Sequence, residues 1–222
     1  MKDPYIQENG TLKNLLGITS YKELREAERD ISFVKMMNVD AIDKSEFNMD
    51  FIKAIHAHIF EDVYQWAGEF RKIPIYKTEA VLPMVSLEYA KPKEIEKQLK
   101  EILEKMNLVN WNQLTEDELV KVFTSYISKI WRVHPFREGN TRTTLSFANI
   151  FSKEHGFELD MSTLIENLGR IKDEETGAIK RWSVRDKFVL AALDEKDYPE
   201  PEALERLVKQ AIKNGANELS ER

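Results

Sequence analysis

Nine consecutive residues, His134-Pro135-Phe136-Arg137-Glu138-Gly139-Asn140-Thr141-Arg142, bring together the side chains needed to handle a phosphorylated group. An imidazole with an ordinary pKa near 6.5 accepts a proton at neutral pH, so His134 is the candidate general base. Glu138 offers hard carboxylate oxygens of the kind that hold Mg²⁺ beside phosphates. Gly139 lets backbone approach a phosphate closely and adopts unusual dihedrals at little cost. Asn140 is a good helix cap that can hold the loop. Arg142 presents a charged planar fork for phosphate oxygens. Phe136 reads as the core anchor of the loop. A lone His beside Pro is usually structural; it is the company of the other residues that favours chemistry here.

Two helices must flank this segment. The stretch LVKVFTSYISKIWRV, residues 119–133, is apolar nearly all round and predicts a buried central helix. Pro135 disfavours helical dihedrals at the residue before it, so that helix should stop at His134. A new helix is expected from about Asn140, carrying Leu145, Phe147, Ala148 and Ile150. The first N–H groups of such a helix have no intrahelical partner and lie at the positive end of its dipole, which makes the loop an anion site.

The remaining elements follow from periodicity and punctuation. Ser20 with Glu23 reads as a capping box opening a helix over 21–37, with Leu24, Ala27, Ile31 and Val34 on one stripe. Phe47, Phe51, Ile52, Ile55, Ile59, Val63 and Trp66 predict a second helix ending at Ala67-Gly68. The following RKIPIYKTEAVLP is irregular or β; Pro74 removes a ladder donor and limits it to an edge strand or short hairpin. A helix with Ile95, Leu99, Ile102 and Leu103 inward comes next, and the tail holds helices near 161–171, 182–193 and 201–213. The fold class is all-α, a helical bundle with one small β-hairpin.

Composition narrows the function. The 222 residues suit one large domain, and 42% are hydrophobic, enough for a sizeable core. With no cysteine, disulfides and thiolate metal sites are excluded. A net charge of −6 argues against a general nucleic-acid partner. No run of about 18 apolar residues and no apolar signal core occur, so neither a membrane span nor a cleaved leader is expected; this leaves a cytoplasmic protein, the expected location, or one secreted without a cleaved signal. His56 and His58 lie two apart on a helix and point to different faces, which fits packing rather than a ligand pair.

The segment resembles the signature of the Fic (filamentation-induced-by-cAMP) family, His-x-Phe-x-Asp/Glu-Gly-Asn-x-Arg, with every specified position in order. A chance match in a chain of this length is on the order of 10⁻⁵. LKNLLGITSYKELREAERD is similar to the family's lead-in, and IHAHIFEDVYQWAGEFRKIPIYK to the segment before its β-hairpin flap. The resemblance implies a Fic domain over 1–195 with a helical extension over 196–222. It implies a protein adenylyltransferase: His134 as the base, Glu138 holding Mg²⁺, and Gly139, Asn140, Thr141 and Arg142 binding the phosphates of ATP. The flap, about 73–81, would dock the hydroxyl-bearing target protein, with Lys77 and Thr78 near the nucleotide. Self-modification and a small antitoxin-like inhibitor protein are further implications.

One position departs from the family pattern: Leu145 stands where many members carry a second arginine. Two alternatives therefore stay open. One is a Fic-type phosphotransferase with kinase-like chemistry or another nucleotide donor; the other is a nucleotide-binding regulator without chemistry. A match to the family's inhibitory pattern, Ser162 to Glu166-Asn167, reads as a capped surface helix.

Overall fold

The computed structural model describes residues 3–42, 46–77, 79, 81–82, 87–194, 197 and 199–220. Among them are eight α-helices: α1 (Tyr21–Met37), α2 (Met49–Phe60), α3 (Ile95–Asn107), α4 (Glu116–Val133), α5 (Asn140–Glu154), α6 (Met161–Glu166), α7 (Val184–Ala191) and α8 (Glu202–Ser220). Their starts are set by side-chain caps. Ser20 accepts from the Glu23 amide, Thr115 and Glu118 form a reciprocal capping box, and Ser183 and Asp186 form another.

α2 is shorter than its apolar pattern. Asn48 caps it by accepting from the amides of Asp50 and Phe51, and it ends at Phe60. The pattern continues through Val63 and Trp66 because turns keep those residues buried; Gly68, at φ +81°, closes the last of them. α6 stops at Glu166, with Asn167 as its cap, rather than near 171.

The small hairpin is present, but not where Pro74 lies. It is formed by β1 (Ile171–Lys172) and β2 (Ile179–Arg181), antiparallel, with Ile171 opposite Arg181. The described residues of the 71–82 segment form no ladder. Pro74 has no N–H to give, the Arg71 amide is used by the carbonyl of Pro135, and the Leu82 amide turns back to Glu79.

α4 packs against α3, α5, α7 and α8, yet Lys121, Ser125 and Lys129 keep one stripe of it in solvent, so it is amphipathic rather than apolar all round; α2 lies against α1, α3 and α5. α5 is the more enclosed of the two helices flanking the motif: eleven of its fifteen residues are buried, against eight of eighteen in α4. Hydropathy understates this because α5 is rich in Ser and Thr. Such hydroxyls are small enough for close packing, and two of them bond to backbone of their own helix and its cap: Thr143 to the Gly139 carbonyl (3.1 Å) and Ser152 to that of Asn149 (2.9 Å). Leu204, Leu207, Val208 and Ala211 of α8 belong to the same core as Phe123 and Phe151. No helix among the described residues is long and apolar enough to cross a membrane.

Candidate active site

The motif loop connects α4 to α5, and its geometry starts at His134. Pro135 denies His134 the right-handed conformation, and the residue instead caps α4 in the left-handed region, at φ 51° and ψ 57°. A non-glycine residue held there stores strain and persists only when its surroundings dictate it. Arg71 supplies much of that constraint. Its Nε donates to the His134 carbonyl (2.7 Å), its amide to the Pro135 carbonyl (2.8 Å), and its other guanidinium nitrogens to the carbonyls of Ile73, Ala90 and Val133. Buried among carbonyls, this guanidinium is pushed down to about 10.

The imidazole of His134 is fully buried. Nδ1 faces the Trp131 carbonyl at 3.3 Å, which assigns the proton to Nδ1 and leaves Nε2 as a lone pair without a protein partner. Tyr89 stacks on the ring at 4.0 Å. Burial first, then the charges of Lys77 and Arg185, hold His134 well below its ordinary value, so it is the neutral, proton-accepting form at pH 7.

Phe136 is buried and stacks on His56, with ring centres 3.8 Å apart and planes within 13°. Asn140 reaches back to it twice: the Phe136 amide donates to Oδ1 (2.9 Å) and Nδ2 donates to the Phe136 carbonyl (2.8 Å). His56 holds the next peptide. Gly68 N–H donates to its Nδ1 (2.8 Å), so Nε2 carries the proton and donates to the Glu138 carbonyl (3.2 Å). Burial pushes His56 down to about 3, keeping that arrangement neutral.

Gly139 caps α5 at φ +79°, and a Cβ there would sit 2.3 Å from ring carbons of Phe60. The first intrahelical bond of α5 runs from Thr143 N–H to the Gly139 carbonyl (3.0 Å), so the amides of Asn140, Thr141 and Arg142 precede it. The side chain of Thr141 accepts from the indole of Trp131 (3.0 Å), pinning the first turn of α5 to the last turn of α4.

Glu138 accepts from the Gly139 amide on one oxygen (3.1 Å) and faces Lys77 Nζ at 3.8 Å with the other. Burial pushes this carboxyl up, but Lys77 and Arg142 outweigh it and bring it down to about 2, so it is ionised at neutral pH. The loop therefore gathers His134, Glu138, Lys77 and the open start of α5. Arg142 is engaged on its far side: it pairs with Glu28 of α1, donates to Ser32 (2.6 Å) and lies over the Phe60 ring. Tyr64 donates to the same Glu28 carboxylate. Thr78 lies outside the described residues. Glu166 is exposed at the end of α6.

Sequence reasoning passed over Arg71, Tyr89, Arg185, Glu28 and Glu79 as site residues, and it gave His56 a packing or surface role. Each meets the site through a contact distant in sequence, such as Arg142 with Glu28 or Arg185 with Glu79. Spacing carries no signal for such pairs.

Residues 46–152 match the Fic/DOC family. Among curated proteins, the chain is 30% identical over 161 residues to "Protein adenylyltransferase VbhT" of Bartonella schoenbuchensis, covering 71% of this chain and 32% of that one. This chain thus spans about a third of that relative's length. It is 30% identical over 155 residues to "Probable protein adenylyltransferase y4lH" of Sinorhizobium fredii, covering 69% of this chain and 76% of that protein. Among solved structures, the BepC protein of Bartonella tribocorum, crystallised with AMPPNP, superposes with a TM-score of 0.71 at 20% identity, covering 93% and 95% of the two chains. Together with the intact motif and its loop geometry, these matches place the chain in the Fic/DOC family.

Proposed function

We infer that this protein is an adenylyltransferase that moves AMP from ATP to a Tyr, Ser or Thr hydroxyl of another protein. The observation that carries the reading is the buried His134, whose unpartnered Nε2 lies in a loop shared with an ionised Glu138 and the open amides of α5. Relatives at 30% identity bear the name protein adenylyltransferase, which supports the same reading.

In this reaction Nε2 of His134 takes the proton of the target hydroxyl. The freed oxygen bonds to the α-phosphorus, the bond from that phosphorus to the β-phosphate oxygen breaks, and pyrophosphate leaves. The amides of Asn140 and Thr141 and the helix dipole favour the charge that builds on the α-phosphate oxygens. Lys77 adds a cation at the same place. Nucleotide anions also oppose the fields of Lys77 and Arg185 on His134, raising the basicity of its lone pair where it is needed.

Glu138 fits a magnesium ligand. It is a hard oxygen donor, held ionised, and the described residues contain no cluster of three or more His, Asp or Glu that could form a complete protein cage. That suits an ion held by one carboxylate together with substrate phosphates and water. Bound there, Mg²⁺ would neutralise charge on the phosphates and the leaving group. The proposed use of ATP fits a cytoplasmic location.

Intact-mass spectrometry tests the reading: the protein is incubated with MgATP and a bacterial lysate beside a His134→Ala control. One AMP mass gained on a lysate protein, and lost in the control, is expected. AMP on this chain itself would establish self-modification, for which seven tyrosines are available. A gain of phosphate instead would replace adenylylation by kinase-like transfer. A lysate protein whose removal restores activity would be the small inhibitor.

A further inference from the structure

The segment before α1 has no part in the chemistry above, yet it is folded against the motif loop. Residues 3–18 form a compact loop closed by their own polar groups. Ile6 bridges Leu12, and Gln7 Nε2 donates to the carbonyls of Leu12 (3.0 Å) and Ile18 (2.9 Å). The Leu15 amide ties this loop to the turn after α2 by donating to the Val63 carbonyl (2.8 Å). Compact surface loops packed by their own side chains frequently serve function.

Asp3 is the residue of this loop that meets the motif. One of its carboxylate oxygens accepts from the Tyr5 amide (2.9 Å), which orients the group. The other accepts from Arg137 Nε (3.1 Å) and Nη2 (2.8 Å), across 134 residues of chain. Arg137 immediately precedes Glu138. Tyr5, itself buried, anchors Asp3: its ring meets Trp66 edge-on at 5.3 Å, and its hydroxyl accepts from the Lys72 amide (3.2 Å). Both contacts reach supports of the motif loop. Lys72 follows Arg71, which holds the His134 carbonyl, and Trp66 stacks on His56, which holds the Glu138 carbonyl.

The Asp3–Arg137 pair contributes little to stability, because the two side chains are 22% and 19% exposed and water screens their attraction. Its effect is geometric. Two N–H groups of a planar guanidinium converging on one oxygen fix where the Arg137 side chain lies. The peptide that carries Glu138 is then held from two sides, by Asp3 through Arg137 and by His56 at the Glu138 carbonyl. We propose that Asp3 is a positioning residue for the transfer reaction: acting through Arg137, it fixes the backbone from which Glu138 projects. The proposal rests on reading the site as one for adenylyl transfer. The orientation of groups around the phosphates governs such a reaction, and a misplacement of about 1 Å costs on the order of a hundredfold in rate. The pair stays closed during turnover, and Asp3 touches neither nucleotide nor target.

Initial rates of AMP incorporation from α-labelled ATP into lysate protein, measured with the full chain over a range of ATP concentrations, test this on Asp3→Asn, Arg137→Gln and the double variant. Asp3→Asn should lower the rate at saturating ATP roughly tenfold or more. It should move the half-saturating ATP concentration by less than about twofold, the split expected when orientation rather than binding is lost. The urea midpoint should stay close to that of the wild type. The double variant should be no slower than Arg137→Gln alone, since the two residues act through one contact. An unchanged rate in Asp3→Asn, a rate loss matched by a lower urea midpoint, or additive losses in the double variant would overturn the proposal. Wild-type protein that incorporates no AMP would instead overturn the adenylyl-transfer reading beneath it.

Discussion

Arg71 Nε sits 2.7 Å from the carbonyl of His134, across 63 residues of chain, and is the bond that secures the left-handed backbone of the candidate base. Removing the guanidinium strands several buried carbonyls at once. Arg71→Ala is expected to destabilise the fold by about 3 kcal/mol, the scale of a lost buried network. Urea denaturation measures it. Arg71→Lys should recover only part, since an ammonium cannot reproduce a fork aimed at several carbonyls. A full recovery with Lys would show that charge, not geometry, holds the loop.

Stability should fall as the solution is acidified from pH 6.5. His56 and His134 are both depressed by burial, so near pH 6 the unfolded chain takes up protons that the native state refuses. A depressed histidine adds stability that is fully present above 6.5 and is lost as pH falls toward the folded value, about 3 for His56. Each contributes a slope of about 1.4 kcal/mol per pH unit. Glu138 adds its own loss only between its ordinary 4.5 and about 2. Between pH 6.5 and 5, replacing His134 by Gln should remove part of the wild-type decline. An unchanged slope in denaturation curves across that window would contradict the burial of the ring.

Gly139→Ala should be severely destabilising. The new methyl would collide with Phe60, and the +79° dihedral adds about 1 kcal/mol for any residue with a Cβ. A total near 3 kcal/mol is expected from overpacking plus strain. Adding Phe60→Leu should relieve the collision but not the dihedral, so thermal melts of the double variant should recover part of the loss.

Glu28→Gln tests the rear support of the motif. It leaves the largely buried Arg142 without its counter-charge, and breaking such a pair by removing one partner costs about 3–5 kcal/mol. Removing both charges, Glu28→Gln with Arg142→Met, should be milder than Glu28→Gln alone. A double-mutant cycle in urea would show this as a coupling energy of about 1–3 kcal/mol. No coupling would mean that the two residues do not share an interaction.

The family of this protein was legible in nine residues because they are contiguous. A histidine, a glutamate, a glycine and an asparagine in fixed order leave few structures, and Pro135 marks where α4 must end. Helix positions were equally readable, since an amphipathic stripe with a side-chain cap is a local property: α1 spans Tyr21–Met37 as expected, although the face it buries is Leu24, Glu28, Ser32 and Met36 and Val34 of the expected stripe is exposed. Where local signals competed, they erred. The apolar run after Phe60 continues although the helix does not, because turns can bury residues as well as helices can.

What only the tertiary structure decided is which distant side chains complete the loop. Glu28 behind Arg142, Arg71 on the His134 carbonyl, His56 beneath Glu138 and Arg185 beside Glu79 are each ordinary charged or polar residues in their own segments. Their roles come from burial, which turns a commonplace charge or ring nitrogen into a fixed partner by removing the water that would otherwise satisfy it. That removal depends on how α1, α2, α4, α5 and α7 pack together, and no short-range pattern in the chain encodes it.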